Sequence, residues 1–301
     1  MKDINTLIDD IHHVLKTGEG WDENLAAEFG RASELLLLSR MGTKSQGDYL
    51  RLSNVGTPCD RKLWYTCNES DRAEDKSPTT LLKFLYGDLT ELLVLYLAKA
   101  AGHSVEGEQS SLSVGGVKGH RDCIIDGFTI DVKSTAPFGF SKFKEHTLEQ
   151  DDPFGYLGQL KSYLVGGRDD PRVLYRNHAG FLVFDKTLGH MCLDMWEWTD
   201  EELEDHVEMV HEKVFMVEEK EAPPRGYAPE PDGYKHKEKG FVPNGNEYLG
   251  TFCSYCDFKF HCYDNKLRTF MYKDKPKFFT KIVKEPNVPE VIADGEDEKL
   301  I

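Results

Sequence analysis

The sequence predicts a mixed α/β fold with a central sheet and flanking helices, and three observations support this prediction. Apolar residues recur every three to four positions near the amino terminus, over 80–101 and over 153–165, which is the spacing of helices that pack on a core. Short segments rich in β-branched residues follow the helix of 80–101 and are separated by Gly-Gly or Asp-Gly, a pattern typical of hairpins. Thr199 and Glu202 form a capping box that opens a further helix to about Lys220.

The remaining elements follow in order along the chain. Residues 1–41 are expected to form two helices separated near residues 18–20, and residues 42–80 to be irregular because of their Gly and Pro residues. The expected strands are 104–114, 117–125, 128–134, 179–184 and 190–196. Residues 222–246 are rich in Pro, Gly and Lys and are expected to form a long loop.

These elements suggest four segments. They are a helical segment 1–80, an α/β core 81–221, a segment 222–284 with the loop, a cysteine cluster and a basic stretch, and an acidic tail 285–301. The tail carries two prolines among its acids, so it is expected to be disordered.

Composition limits the class of protein. The 301 residues include 37 Lys and Arg against 53 Asp and Glu, a net charge of −16, which argues against general nucleic-acid binding. Residues 259–284 are nevertheless basic and lie between acidic stretches, so a local phosphate-binding face and an ordinary solvated surface both stay open. No apolar run reaches the roughly 18–20 residues of a membrane span, and no membrane partner is expected. The amino terminus is acidic where a signal peptide is basic, which predicts a cytoplasmic protein, in the host cytoplasm if a phage encodes it.

The most informative pattern is a set of acids beside a lysine. Asp131 and Lys133 share one face of a predicted strand, and Asp122 lies on the preceding strand of the same hairpin. Buried charges need partners, and a divalent cation such as Mg²⁺ or Mn²⁺ held by the acids would remove that cost. Such a site suits phosphodiester hydrolysis, in which Lys133 would orient water or stabilise charge on the phosphate. An Asp–Lys ion pair on an exposed hairpin gives the same pattern.

Two helices add to this set. Glu91 lies among leucines on the helix of 80–101 and is either a third carboxylate at the metal or a solvent-facing acid. Gln159 and Tyr163 are four residues apart, so they share a helix face and together would hold a phosphate or a base.

Seven cysteines in a chain with no expected secretory signal indicate thiol or metal-ligand roles and not disulfides. Cys253, Cys256 and Cys262 are close in sequence, and three thiols need a fourth ligand to close a tetrahedral site. The candidates for the fourth ligand are Cys59, Cys67, Cys192 and His261.

A run of alternating aromatic and basic residues follows the strand of Asp131 directly. Phe140, Lys142 and Lys144 belong to it, and this alternation suits single-stranded DNA, whose bases stack on rings while its phosphates pair with cations. The same phenylalanines would equally fit a loop that packs inward. Arg61 and Lys62 are further candidates for DNA contact.

The residues of the acidic set resemble the PD-(D/E)XK core of RecB-like exonucleases. The resemblance rests on Gly119-His120-x-Asp122, Asp131-x-Lys133 and Gln159-x-x-x-Tyr163. It implies a restriction-endonuclease-like mixed sheet flanked by helices, and a metal bound by Glu91, Asp122, Asp131 and the backbone carbonyl of Val132. This sequence has Glu91 where the family often has His, and Asp131 where it often has Glu.

The segment Cys59-x-Arg61-Lys62-Leu63-Trp64-Tyr65 resembles the C-x-R-K-L-W-Y segment of iron–sulfur nucleases of that superfamily, the CRISPR-associated exonucleases and the AddB type. The resemblance implies a 4Fe–4S cluster that joins the amino- and carboxyl-terminal segments, with Zn²⁺ as the alternative. Its ligands would be Cys59, Cys253, Cys256 and Cys262.

The two resemblances together imply a DNA exonuclease that processes DNA ends in recombination or repair, with DNA and a recombination protein as partners. The size of the chain and the lack of a G-x-x-x-x-G-K-[ST] helicase motif indicate a stand-alone, phage-type nuclease. The alternatives are a non-catalytic metal-clasped module that binds DNA or protein, and a structure-specific endonuclease. The sequence does not predict an oligomeric state.

Overall fold

A computed structural model describes residues 2–40, 49–273 and 275–291. The helices are α1 (Leu7–Thr17), α2 (Glu23–Arg40), α3 (Asp60–Asn68), α4 (Pro78–Ala100), α5 (Pro137–Lys144), α6 (Tyr156–Gly166), α7 (Asp200–Glu218), α8 (Thr251–Ser254) and α9 (Lys259–Cys262). The strands are β1 (Val105–Glu106), β2 (Ser111–Val114), β3 (Val117–His120), β4 (Cys123–Ile125), β5 (Phe128–Thr135), β6 (His178–Asp185), β7 (Met191–Glu197), β8 (Glu230–His236), β9 (Gly240–Tyr248), β10 (Arg268–Tyr272), β11 (Lys275–Lys281) and β12 (Glu290–Val291). Among the described residues no helix has the length and apolarity needed to cross a bilayer.

The chain divides into two compact units, and each unit is made of two separate segments. Unit 1 comprises residues 1–57 and 76–219, and unit 2 comprises residues 58–75 and 220–301. This division by contacts differs from the four consecutive segments predicted from sequence, because the short segment 58–75 groups with the carboxyl-terminal residues.

Unit 1 has the mixed central sheet that the sequence predicts. Its strand order is β1-β4-β5-β6-β7, in which β5 and β6 are parallel and the other neighbours antiparallel. A parallel pair needs a long crossover, and α5 and α6 lie within the connection from β5 to β6. The tight turn of β4 and β5 consists of Asp126 and Gly127, both with positive φ, as a primed two-residue turn requires.

Alternation along the strands places helices on both faces of this sheet. Ile130, Val132 and Leu182 pack with residues of α1 and α4. Phe181 and Val183 point the other way and pack with residues of α5, α6 and α7. The capping box at the start of α7 is present as predicted, with Thr199 and Glu202 bonded reciprocally.

Several expectations about local structure are wrong. The segment 104–114 splits into β1 and β2 in different sheets, and 117–125 splits into β3 and β4. Residues 137–144 form the helix α5 and not a loop, with Pro137 at its first position, where a missing N–H has no cost.

Unit 2 contains a five-stranded antiparallel sheet of order β12-β10-β11-β9-β8. The expected loop 222–246 therefore contains β8 and most of β9. Both strands have long exposed stretches, so they lack the apolar alternation that identifies a strand in sequence. Within the part of the predicted acidic tail that the structure describes, residues 285–291, Glu285 and Glu290 both bind Arg268 and β12 pairs with β10. The rest of the predicted acidic tail lies outside the described residues.

Candidate active site and cysteine site

The predicted catalytic residues of unit 1 come together around the first half of β5. Asp131 and Lys133 lie on the same face of the strand, with Lys133 Nζ 2.6 Å from Asp131 Oδ2. Asp122 lies between β3 and β4, and its Oδ2 accepts a hydrogen bond of 2.8 Å from the backbone N–H of Val132. This bond ties the first acid to the residue between the second acid and the lysine.

The helix α6 contributes the two polar residues that the four-residue spacing predicts. Gln159 Nε2 lies 3.2 Å from Asp131 Oδ1 and 2.8 Å from the hydroxyl of Tyr163, and Gln159 Oε1 accepts from Lys133 Nζ at 3.2 Å. The carboxylate, the ammonium, the amide and the phenol therefore form one connected network. Because Asp131 is fully buried, its position in this network is tightly fixed.

The electrostatics show that Glu91 of α4 belongs to the same group of acids. Burial, and then the charges of Asp131 and Asp88, together raise the pKa of Glu91 to about 7. Burial also raises the pKa of Asp122 well above its usual range, with Asp131 and then Glu91 adding to the effect. The three carboxyl groups are thus close enough for their charges to disfavour the ionised forms of Glu91 and Asp122.

For Lys133, the neighbouring negative charges outweigh the effect of burial on the pKa. Burial alone would lower the pKa of its ammonium group, but Asp131 and Asp122 raise it above the ordinary value. The ammonium also lies 4.9 Å from the centre of the Tyr156 ring, which favours the cation. Lys133 is therefore positively charged at neutral pH.

A cleft opens beside these acids. Its volume is about 640 Å³, and Glu91, Asp122 and Tyr163 line it together with Arg40, Arg51 and His120. A volume of this size admits part of a polymer or a whole small ligand.

Two polar contacts at this site were missed by the sequence analysis. Gln109 donates a hydrogen bond of 3.0 Å to Glu91 Oε1 from a left-handed backbone position, for which the sequence carries no signal. Tyr156 lies three residues before Gln159 on the same helix, and that helical spacing could have identified it.

The four cysteines expected to bind a cluster line one cavity of unit 2. Cys59 immediately precedes α3, Cys253 lies in α8, Cys256 follows α8 and Cys262 ends α9. Burial, and then the charges of the other three cysteines, together raise the pKa of the Cys253 thiol to about 12. The four sulfur atoms are therefore electrostatic neighbours.

The other candidates for the fourth ligand have different surroundings. His261 Nε2 lies 2.6 Å from Glu69 Oε2, and its ring packs on Tyr65 with a centroid separation of 4.8 Å. Cys192 lies in β7 of unit 1, where burial raises the pKa of its thiol to about 12. Neither His261 nor Cys67 is among the described residues that line the cavity.

Space and charge around the sulfurs suit an anionic group. Gly226 lies beside Cys59, and a Cβ at this position would stand 3.3 Å from Cys59 Sγ, so glycine keeps this side of the sulfur open. Arg225 donates to the Cys262 carbonyl oxygen at 2.6 Å. Arg61, Lys62, Arg225 and Lys259 line the same cavity.

The acids and thiols are grouped but are not arranged as ligands. Within the described residues, no three His, Cys, Asp or Glu side chains stand in a geometry ready to hold a metal ion. Asp131 Oδ2 is buried and receives no well-directed hydrogen bond, although the Lys133 ammonium lies beside it.

The expectation that Phe140 contacts DNA is wrong. Its ring is only 6% exposed and packs in the core between α5 and the sheet, so no base can stack on it. Lys142 lies over the exposed ring of Phe138 and pairs with Asp151, whereas Lys144 is exposed at the end of α5.

The remaining predicted DNA contacts lie in unit 2. Arg61 donates to the Tyr65 hydroxyl and to the carbonyl of Pro223, and Lys62 lies near Cys256. Much of the basic stretch 259–284 is neutralised by ion pairs. These pairs are Lys259 with Glu74, Arg268 with Glu285 and Glu290, Lys277 with Asp232, and Lys281 with Glu247.

Comparison with known proteins gives distant structural similarity. No family model and no curated protein matches the chain. The crystal structure of SSO0001 is similar at 13% identity and a TM-score of 0.40, covering 79% of this chain and 95% of that one. An alkaline exonuclease (LHK-Exo) from Laribacter hongkongensis is similar at 14% identity and a TM-score of 0.36, covering 62% of this chain and 92% of that one. At these values, a proposal about function has to rest on the residues of the two sites.

Proposed function

We propose that this chain is a Mg²⁺- or Mn²⁺-dependent DNA exonuclease that hydrolyses phosphodiester bonds at DNA ends during recombination or repair. The observation that supports it best is the convergence of three carboxyl groups and one ammonium group beside an open cleft in unit 1. The raised pKa values of Glu91 and Asp122 show that their negative charges are held there at a cost, which a bound divalent cation would remove.

The donor set fits a hard cation. Glu91, Asp122 and Asp131 would hold it together with the carbonyl oxygen of Val132, and all of these offer oxygen, the donor that Mg²⁺ and Mn²⁺ prefer. The buried Asp131 Oδ2, which lacks a well-directed hydrogen bond, has a lone pair to offer. When bound, the ion supplies a bound water of lowered pKa and neutralises charge on the phosphate.

The side chains of this chain have separate roles in the proposed reaction. Asp131 and Gln159 hold the Lys133 ammonium group in place. From this position the ammonium group would donate a hydrogen bond to water or to a phosphate oxygen. Tyr163, which lines the cleft, would position the strand, and Gln159 holds the Tyr163 hydroxyl through a hydrogen bond of 2.8 Å. Asp122 holds the backbone of Val132 in register through its 2.8 Å hydrogen bond.

We also propose that Cys59, Cys253, Cys256 and Cys262 hold a 4Fe–4S cluster, with Zn²⁺ as the alternative. Both groups place net negative charge among the four sulfurs, which suits the cations that line the cavity. Protein purified without oxygen should be brown and contain iron and sulfide, whereas a colourless protein with stoichiometric zinc would refute the iron–sulfur assignment.

Arg61, Lys62, Lys142 and Lys144 are proposed to contact the DNA backbone. All four are basic, and Lys144 is exposed at the end of α5. A recombination protein is proposed as a partner, since end-processing nucleases work beside such proteins in the family that the sequence resembles.

The deciding experiment is cleavage of linear DNA labelled at either end, with Mn²⁺ present, by the whole chain and its variants. Asp131→Asn and Lys133→Ala should each lower the rate by about 10²–10³-fold, the loss expected when one group that stabilises transition-state charge is removed. Asp169→Asn, at an exposed acid of unit 1, is the matched control and should cut like the parent protein.

The alternatives give other outcomes. Binding without cleavage that depends on these residues would favour a non-catalytic module. Equal cleavage of covalently closed circles and linear DNA would favour an endonuclease.

A further inference from the structure

The hairpin of β8 and β9 extends beyond the sheet of unit 2. Residues 233–243, here named the ribbon, pair only with each other among the described residues, since β9 meets β11 further along, at Glu247 and Tyr248. Most residues of the ribbon are exposed, as expected for a two-stranded element without a third neighbour.

The ribbon is fixed at its base and at its tip. At the base, the buried Asp232 accepts hydrogen bonds of 2.5 Å from Lys277 and 2.6 Å from Asn244. At the tip, His236 Nδ1 accepts from the backbone N–H groups of Glu238 and Lys239, at 3.2 and 3.3 Å. An isolated hairpin is marginally stable in water, so these contacts explain how this one holds a defined shape.

The surface of the ribbon is basic and aromatic. Lys235, Lys237 and Lys239 are exposed, and among the described residues none of them has an ion-pair partner. Tyr234 and Phe241 are 58% and 51% exposed, and they lie on opposite faces because Phe241 is directly across from Lys235. Two of the three lysines of β11 differ, since Lys277 and Lys281 are neutralised by carboxylates.

We propose that the ribbon is a DNA-binding element of this chain. The lysines would contact phosphates while the two rings stack on unpaired bases, which is how basic and aromatic side chains together bind single strands. In a chain of net charge −16, a ribbon with three lysines against one acid, Glu238, favours a polyanion. The choice of DNA as that polyanion rests on the proposed function.

The test is the affinity of the whole chain for a fluorescent single-stranded oligonucleotide, measured by anisotropy across salt concentrations without divalent metal. The variant Lys235→Gln/Lys237→Gln/Lys239→Gln should lower the slope of log K against log salt by about 2 and raise Kd about 10- to 100-fold at ~0.1 M salt. The matched control is Lys273→Gln/Lys275→Gln/Lys284→Gln, which removes the same charge from exposed lysines elsewhere in unit 2 and should change Kd much less.

A second variant tests the rings. Tyr234→Ala/Phe241→Ala should weaken single-strand binding about 10-fold and leave the salt slope unchanged, because stacking releases no counterions. Equal weakening by both lysine variants would overturn the proposal, since net charge alone would then explain the binding. Equal affinity for poly-glutamate would overturn it as well, because the ribbon would then fit an acidic protein.

The outcomes separate this inference from the proposed nuclease activity. Protein that binds DNA through the ribbon but does not cut it with Mn²⁺ contradicts the proposed function and supports the ribbon. Protein that cuts DNA, but whose ribbon variant binds like the control, supports the proposed function and refutes the ribbon.

Discussion

The buried His206 of α7 is expected to make the stability of the protein depend on pH. Its ring is 6% exposed, and Nε2 lies 2.8 Å from the hydroxyl oxygen of Ser162 on α6. Burial, with a smaller effect from the nearby Lys161, lowers the pKa of His206 to about 4. In the unfolded chain the pKa returns to the ordinary value of 6.5, so the unfolded state binds a proton more readily than the folded state.

The sign and size of the effect follow from this difference. The contribution of His206 to the free energy of unfolding is fully present above pH ~6.5. It is lost as the pH falls towards ~4, at about 1.4 kcal/mol per pH unit. The difference in pKa corresponds to about 3 kcal/mol over the whole window, a large part of a typical stability of ~5–15 kcal/mol.

Urea unfolding at several values between pH 7.5 and 4.5 measures this dependence. The matched variant is His206→Gln, which keeps a side-chain N–H for Ser162 but does not titrate, so other titrating groups cancel in the comparison. The free energy of unfolding of the variant should fall less steeply with decreasing pH than that of the parent. Parallel curves for the two proteins would refute the reasoning.

Three further predictions concern single positions. Thr199→Ala should lower the free energy of unfolding by about 1 kcal/mol through loss of the capping box, whereas Thr199→Ser should keep most of it. Gly30→Ala in α2 should raise the free energy of unfolding by about 0.5–1 kcal/mol in urea unfolding, because alanine favours a helix more than glycine does and its Cβ would meet nothing within 4 Å. Gly226→Ala should lower the metal and sulfide content of purified protein, because its Cβ would press on Cys59 Sγ; unchanged content would contradict the role of this glycine.

The parts of unit 1 that the sequence predicted have strong local signals. The Asp-Gly turn, the capping box and the long apolar helix each depend on neighbouring residues, and the structure has all three. The shared face of Asp131 and Lys133 likewise follows from strand periodicity alone. Strand periodicity does not predict the hydrogen bond from the backbone N–H of Val132 to the Asp122 carboxylate, because this bond depends on the path of the chain after β3.

The predictions that differ from the structure concern residues whose conformation depends on contacts with distant parts of the chain. Phe140 belongs to a helix whose apolar side is covered by the sheet, and a short run of alternating residues does not reveal which side is covered. The strands β8 and β9 form without an apolar face, so composition suggested a loop. Glu290 is ordered by Arg268, a partner 22 residues away that no local pattern identifies.

The discontinuous make-up of unit 2 has a consequence for biosynthesis. About 190 residues separate Cys59 from Cys253, so at ~5–20 residues per second the first thiol leaves the ribosome roughly 10–40 s before the second. Throughout that interval the nascent chain exposes a cysteine whose partners do not yet exist. Assembly of the proposed cluster can therefore begin only after Cys262 has been synthesised, and any product that terminates before Cys253 would carry Cys59 without the other three thiols.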